Sequence, residues 1–189
     1  MNTPFINGRV TRVVRAHDRV TMPWKNGGGV THELLRVPTE GDGFAVRLSI
    51  AEVAVDGPFS RFPGVDRVIT LLGGAGMVLR RAHDGLTVRI DATDTPFAFL
   101  GEDAWDCTLV GGPVHDFNVM TDRASRRAAV APHGPGVVRG TWALARAAGH
   151  IGGVAVAPWD LAELDGAVLA DVPTLVVYAG ARAGADLPS

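Results

Sequence analysis

Short stretches of alternating or continuous apolar residues recur along the whole chain, and clusters of glycine or proline separate them. The sequence holds 24 glycines and 12 prolines, which suits many short strands joined by tight turns better than long helices. So many strands in one open sheet would leave exposed edges, so the pattern indicates an all-β chain closed into barrels or sandwiches. The periodicity predicts strands over residues 9–15, 30–37, 44–55, 68–72, 77–81, 86–90, 96–100, 105–110 and 114–120, and again over 137–145, 153–157, 160–164, 167–170 and 174–178.

A basic, alanine-rich segment at residues 123–131 and a turn at 133–136 divide these strands into two groups. The composition predicts a hinge between two β lobes, the first at about residues 1–125 and the second at about 126–189. The second lobe is too small to close around a core of its own. We therefore expect an early strand to cross over and complete it.

The charge balance argues against several classes of protein. The chain has 18 basic and 20 acidic side chains and a formal charge of −2, whereas nucleic acids and anionic membranes attract clustered positive charge. No apolar run approaches the roughly 20 residues of a membrane helix, and the first residues do not resemble a signal sequence. We expect a soluble, cytoplasmic protein that binds neither nucleic acid nor membrane. The single cysteine, Cys107, cannot form an internal disulfide and is predicted to be a core residue.

The predicted strand 44–55 carries the first candidate site residues. Its alternation places Arg47 and Ser49 on one face, together with Ala45 and Ala51. An arginine on a solvent-facing strand is unremarkable, and that interpretation stays open. The small neighbours favour a binding face instead, because they leave volume for a ligand.

The segment 57–76 is the most informative, because its apolar strand followed by Gly-Gly-Ala-Gly resembles the turn of a cupin barrel. In cupins, two histidines and a glutamate ahead of this turn hold a metal. Here the glutamate position falls on Arg67, and the histidine positions fall on Ser60 and Phe62. A guanidinium and a phenyl ring cannot coordinate a cation. We expect no metal and no other cofactor, and we expect Arg67 to favour an anion, since its planar fork matches a carboxylate.

The loop that follows residue 23 carries three more candidates. Lys25, the only lysine of the chain, lies between Trp24 and Asn26, and three glycines follow. Consecutive glycines allow backbone N–H groups to converge on an anion, although an ordinary loop with a solvated lysine remains an alternative. The tryptophan favours a lid, because an exposed loop gains little from a large ring unless the ring covers something.

The strand 114–120 aims two polar side chains in one direction. Asp116 and Asn118 share a face with Met120. Asn118 offers one donor and one acceptor group to a small polar ligand. Asp116 is interpreted as a partner for an arginine inside the barrel rather than as a catalytic group.

Four stretches of the chain together resemble the HutD/Ves family of bacterial bicupins. The resemblance implies two cupin barrels in one chain and a cytoplasmic, metabolite-binding protein, in some members tied to histidine utilisation and proposed to bind formylglutamate or urocanate. It implies no well-established catalytic activity. The stretches are MPWKNGGGVTHEL (22–34), VRLSIAEVAVDGPFSRFPGVDR (46–67), LLGGAGMVL (71–79) and DFNVM (116–120).

The hypothesis that follows is a metal-free pocket in the first barrel that binds a small carboxylate metabolite and acts as a regulator of histidine utilisation. Three cations there would repel one another, so an acidic partner such as Asp116 or an anionic ligand should balance them. The predicted ligand-binding residues are Arg47, Ser49, Arg67 and Asn118 inside the barrel and Trp24, Lys25 and Asn26 as a lid.

Two other functions stay open at this point. A metal-free isomerase or hydrolase would use Lys25 or His32 as a base, although no nucleophile oriented by a base is recognisable. An interaction module without a ligand would need Arg47 and Arg67 to be fully paired by internal carboxylates. Pairing of strand edges makes a homodimer a further expectation.

Overall fold

In the computed structural model, which describes residues 6–25 and 27–182, the chain is all-β, as predicted. The helical content of the described residues is one 3-10 turn at Ala16–Asp18, and no helix among them is long and apolar enough to cross a membrane. The strands are β1 (Arg9–Val14), β2 (Val20–Pro23), β3 (Gly29–Pro38), β4 (Phe44–Val53), β5 (Gly57–Pro58), β6 (Val65–Gly73), β7 (Met77–Arg81), β8 (Thr87–Ile90), β9 (Pro96–Leu100), β10 (Trp105–Leu109), β11 (Val114–Asp122), β12 (Arg126–His133), β13 (Gly136–Val138), β14 (Trp142–Ala145), β15 (Gly149–Ile151), β16 (Val154–Val156), β17 (Leu161–Asp165), β18 (Val168–Ala170) and β19 (Thr174–Ala181).

The chain divides into two compact units. One unit comprises Val20–Arg127 together with the described residues after Ala179, and it contains the residues of the candidate site. The other comprises the described residues up to Arg19 together with Ala128–Ala179.

The unit built on Val20–Arg127 consists of two antiparallel sheets. A six-stranded sheet has the order β2-β3-β4-β11-β6-β9, and a four-stranded sheet has the order β5-β10-β7-β8. Apolar side chains from both sheets form one buried cluster, so the two sheets enclose a common core, as in a jelly roll. The members of this cluster include Ile69, Leu71, Met77, Leu79, Trp105 and Cys107. Cys107 is thus a core residue, as predicted.

The other unit repeats this plan with shorter strands. Its sheets have the orders β1-β17-β14-β19-β12 and β13-β18-β15-β16. The early strand β1 lies at the edge of the first of these sheets and pairs antiparallel with β17. Buried aliphatic side chains from both sheets again form a single cluster, which includes Ala143, Ile151, Ala162, Val168 and Val176.

Most strand predictions are correct to within a few residues, and β7 and β9 match the predicted bounds. The segment 123–131, predicted to be a hinge, is instead largely part of β12. Its arginines and alanines are weak strand formers, and pairing beside β19 overrides that preference. The strand predicted over 137–145 is in fact two, β13 and β14, interrupted around Gly140. The short strands β2, β5 and β15 were not predicted, because two to four residues carry too little periodicity.

Candidate functional site

The candidate site lies on the inner face of the six-stranded sheet, where β4, β11 and β6 are neighbours. Residues directly opposite in an antiparallel pair share a face. The register therefore aligns three rows of side chains across these strands. The rows are Arg47–Met120–Arg67, Ser49–Asn118–Ile69 and Ala51–Asp116–Leu71.

Arg67 occupies a position that would ordinarily be apolar core. The residue is 6% exposed, and its Cζ atom lies 4.8–5.6 Å from the ring centroids of Phe59, Phe62 and Phe99. Its Nη1 donates a hydrogen bond to the carbonyl oxygen of Ser60 at 3.1 Å. Burial lowers the pKa of Arg67 to about 10, and the charge of Asp116 opposes this effect. Arg67 is thus a protonated, poorly solvated cation at neutral pH, surrounded mainly by aromatic faces.

A small inner cavity adjoins the guanidinium group of Arg67. It has a volume of about 70 Å³, and a wider opening of about 400 Å³ shares Trp24, Thr31, Arg47 and Ser60 with it. One water needs roughly 10–15 Å³. The inner cavity therefore admits a group the size of a carboxylate, and the remainder of a larger molecule would occupy the opening.

Arg47 is the second cation at the cavity, and it has an internal partner. Its Nε donates a hydrogen bond to Oε2 of Glu33 at 2.6 Å, and the two side chains are only 14% and 16% exposed. Glu33 faces Ser49 across the β3–β4 pair, whereas its neighbour His32 faces Ile50. His32 lies instead near Thr21, with 3.0 Å between Nδ1 and Oγ1. The hypothesis that His32 acts as a base beside a bound substrate is therefore wrong, because its side chain is on the opposite face of β3.

Asp116 and Asn118 project from β11 into the same cavity. They are 2% and 8% exposed, and among the residues that the structure describes neither Oδ1 of Asp116 nor Oδ1 of Asn118 has a hydrogen-bond partner. The same holds for Nε of Arg67. Burial raises the pKa of Asp116 to about 7, against the lowering effect of Arg67. Buried polar atoms without partners are costly, so this cluster is suited to a ligand that supplies both donors and acceptors.

The hairpin between β2 and β3 brings Trp24 to the cavity. Its Nε1 donates to Oγ1 of Thr31 at 2.8 Å, and the backbone N–H of Trp24 donates to the carbonyl of Gly29. Any side chain at Gly29 would collide with the Glu52 carbonyl oxygen, which lies 2.2 Å from an ideal Cβ position. Glycine is therefore required where this hairpin crosses β4. The exposed Lys25 lines the wider opening.

The structure thus brings together most of the predicted site residues. Trp24, Arg47, Ser49, Arg67 and Asn118 line the inner cavity, and Lys25 lines the opening. Asn26 lies outside the described residues.

Sequence reasoning missed several residues of the site. Thr31 and Glu33 alternate with His32 and so belong to the cavity face of β3, but the pairing of β3 with β4 was not predicted. The phenyl rings of Phe59 and Phe62 reach Arg67 from a segment with little regular structure, for which no periodicity exists. Ser60 and Phe62, which occupy the histidine positions of the cupin motif, do line the cavity together with Arg67.

Comparison with known protein families gives one clear match. The model of the HutD family matches residues 16–181. An uncharacterized 21.2 kDa protein in the hutC 3′ region of Pseudomonas putida is 47% identical over 110 residues, which cover 58% of this chain and 57% of that protein. Protein Ves from Escherichia fergusonii is 40% identical over 108 residues, which cover 57% of this chain and 56% of Ves. The chain thus spans somewhat more than half the length of the curated relatives that it matches.

Two of the similar solved structures match most of the chain. HutD from Pseudomonas fluorescens SBW25, determined in a formate condition, is 34% identical with a TM-score of 0.80, and the match covers 90% of this chain and 98% of that protein. A conserved protein of unknown function from Pseudomonas aeruginosa PAO1 is 32% identical with a TM-score of 0.74 and the same coverage.

Proposed function

Because the chain belongs to the HutD family, we propose that it binds a small carboxylate metabolite, of the formylglutamate or urocanate kind, in the cavity of the Val20–Arg127 unit. One observation carries this proposal. Arg67 presents a buried guanidinium to a small cavity, and its Nε has no hydrogen-bond partner among the described residues. A core position is costly for such a group, and an anionic ligand offsets that cost.

The chemistry of the cavity favours a carboxylate over other anions. A guanidinium fork pairs with the two oxygens of a carboxylate in a planar, bidentate arrangement, worth about 1.5–3 kcal/mol per charge-assisted hydrogen bond. The inner volume of about 70 Å³ limits the group that reaches Arg67 to a small one. Asn118 and Ser49 offer polar atoms beside it. Two such contacts with an apolar wall correspond to roughly micromolar to sub-millimolar affinity.

The wider opening suits the rest of a dicarboxylate. Lys25 lies there, and its exposed ammonium would attract a second carboxylate without a large desolvation cost. The span from Arg67 to Lys25 therefore favours a ligand with one acidic group at the buried end and another at the mouth. Formylglutamate has this form, whereas urocanate has a single carboxylate.

The relatives support a placement in metabolism. The P. putida protein is described by its position in the hutC 3′ region, and the family resemblance ties some members to histidine utilisation. We therefore also propose that the protein is a cytoplasmic regulator that senses a carboxylate of histidine utilisation.

Calorimetric titration with N-formyl-L-glutamate, urocanate and acetate tests the binding proposal. We expect saturable heat for the wild-type protein with at least one of these compounds. Arg67→Lys keeps the charge but loses the planar fork, so affinity should fall about 10- to 100-fold. Arg67→Gln should abolish measurable binding. Arg80→Ala removes an exposed arginine of β7 and is the matched control; a similar loss there, or full binding in Arg67→Gln, would contradict the proposal.

A further inference from the structure

Asp116 is one of the residues that line the inner cavity, and the proposed carboxylate contact does not involve it. It sits on β11 between Ala51 of β4 and Leu71 of β6. It is 2% exposed, it lines the inner cavity, and its Oδ1 has no hydrogen-bond partner among the described residues. Because this carboxyl group lies beside the proposed anion site, its protonation state affects whether an anion can bind there.

The charged groups around Asp116 determine how many negative charges the inner cavity can hold. The charge of Arg67 on β6 acts on Asp116. Arg47 of β4 lines the same cavity, but Glu33 of β3 already pairs with Arg47 at 2.6 Å. From β10 the buried thiol of Cys107 is close enough to be influenced by Asp116, and burial raises the pKa of that thiol to about 12, so it carries no charge. On β11 itself the neighbouring cavity group is the neutral amide of Asn118. The inner cavity therefore holds the charge of Arg67 opposite a single counter-charge.

Two negative charges cannot both occupy so small a volume beside buried residues without a large cost. Like-charged carboxylates in contact share a proton, so that one of them becomes neutral. The charge of Arg67 is thus balanced either by an ionised Asp116 or by a bound carboxylate, but not by both at once. The neutral form of Asp116 has an O–H group that can donate to the bound anion, which also gives its unpartnered oxygen a role.

We propose that Asp116 couples ligand binding to proton uptake, so that each carboxylate that enters the inner cavity above neutral pH is accompanied by one proton from solvent. This inference rests on the proposed function and adds the regulation of that site. The proton adds to a carboxylate oxygen of Asp116, and the resulting O–H donates to the bound anion. Arg67 stays protonated and donates to the same anion, and no bond of the ligand breaks.

The protonation behaviour of Asp116 agrees with this exchange. Burial raises the pKa of Asp116 to about 7, so the free protein loses this proton close to neutral pH. A bound anion raises that pKa further. At pH 6 about nine-tenths of the free protein is already protonated at Asp116, and at pH 8 about one-tenth is. Proton uptake on binding should therefore rise from about 0.1 at pH 6 to about 0.9 at pH 8.

Calorimetry of N-formyl-L-glutamate binding in buffers of different ionisation enthalpy measures this uptake directly. Both carboxylates of this probe are ionised from pH 6 to 8. For the wild-type protein we expect affinity about tenfold weaker at pH 8 than at pH 6, together with the uptake given above. Asp116→Asn cannot titrate and should show no uptake and no pH dependence from this source. Asp106→Asn makes the same chemical change on the exposed side of β10 and should behave like wild type.

Each outcome bears on a different claim. Binding that depends on Arg67 but shows no proton uptake at pH 8 overturns this inference and leaves the proposed function intact. Absence of binding of N-formyl-L-glutamate, urocanate and acetate at both pH values overturns the proposed function and the inference with it. A third measurement needs no ligand: the 13C resonance of the Asp116 carboxyl group should titrate with a midpoint near 7. A carboxyl that is still protonated at pH 9 refutes the exchange, because the free protein then has no ionised Asp116 to take up a proton.

Discussion

Replacing Asp116 by asparagine should stabilise the folded protein at alkaline pH and leave its stability almost unchanged in acid. The reason is that the buried carboxyl of Asp116 has a pKa of about 7 in the folded protein against 3.8 for the ordinary group. Below pH 3.8 both states are protonated and no penalty exists. As the pH rises from 3.8 towards 7, the unfolded chain releases this proton while the folded protein retains it, which favours unfolding.

The magnitude follows from the same two values. The interval from pH 3.8 to about 7, at about 1.4 kcal/mol per pH unit, corresponds to about 4 kcal/mol of lost stability, a loss that levels off above pH 7. Other carboxylates whose pKa values are lowered, such as Glu102 beside Arg123, contribute the opposite trend. They are common to both proteins, so the difference between wild type and Asp116→Asn isolates the buried group.

Urea unfolding at pH 4, 6 and 8, followed by both tryptophan fluorescence and far-UV circular dichroism, measures this difference. Coincident transitions for the two signals are needed, because a chain with two compact units does not have to unfold in one step. Asp106→Asn serves as the matched control, since Asp106 is exposed. A difference between wild type and Asp116→Asn that is constant over this range, or that grows towards acid, would refute the reasoning.

Further substitutions test other parts of the site. Arg67→Met should abolish carboxylate binding, as measured by calorimetry, and should lower the free energy of unfolding at pH 8, as measured by urea titration, because it leaves the buried charge of Asp116 without its counter-charge. The same change should raise the pKa of Asp116, whose 13C titration would move above 7, since Arg67 lowers that pKa. Glu33→Gln leaves Arg47 without its counter-charge and should cost about 1–3 kcal/mol of stability while tightening acetate binding. The thiol of Cys107, with a pKa of about 12, should be about 10⁻⁴ ionised at pH 8 and react with a disulfide reagent only after unfolding.

Much of the fold and part of the candidate site could be predicted from the sequence, because both depend on alternation along single strands. The period of two places Arg47 and Ser49 together, and it places Asp116 beside Asn118, before any strand pairing is known. The cupin spacing, which aligns Arg67 with a metal-ligand position, adds the third strand. These are local relations, and the structure brings the same residues to one cavity.

The rest of the site depends on which strands pair and in which register, and the alternation along a single strand does not show this. A β-bulge between Glu33 and Leu35 shifts the register of β3 against β4, and only the strand pairing shows that Glu33 lies opposite Ser49. The ion pair of Glu33 with Arg47 was therefore missed: the sequence predicts that Asp116 or a ligand balances the cations, and Glu33 is an acidic partner that this prediction does not name. Arg47 is paired, and of the two arginines that line the inner cavity Arg67 is the one whose Nε has no hydrogen-bond partner among the described residues.

The energetics of the barrel support a binding role for this arrangement over a purely structural one. Along β6, Ile69 and Leu71 are fully buried apolar residues, and Arg67 points from the same face. A leucine or methionine there would bury apolar surface at no desolvation cost, whereas Arg67 and Asp116 each leave a buried atom without a partner, at about 1–3 kcal/mol apiece. A scaffold without a ligand would require Arg67 to be fully paired by a carboxylate, and its Nε is not. At this cavity the guanidinium of Arg67 and the oxygens of Asp116 and Asn118 leave both donor and acceptor atoms available, which is what a site for a small charged ligand requires.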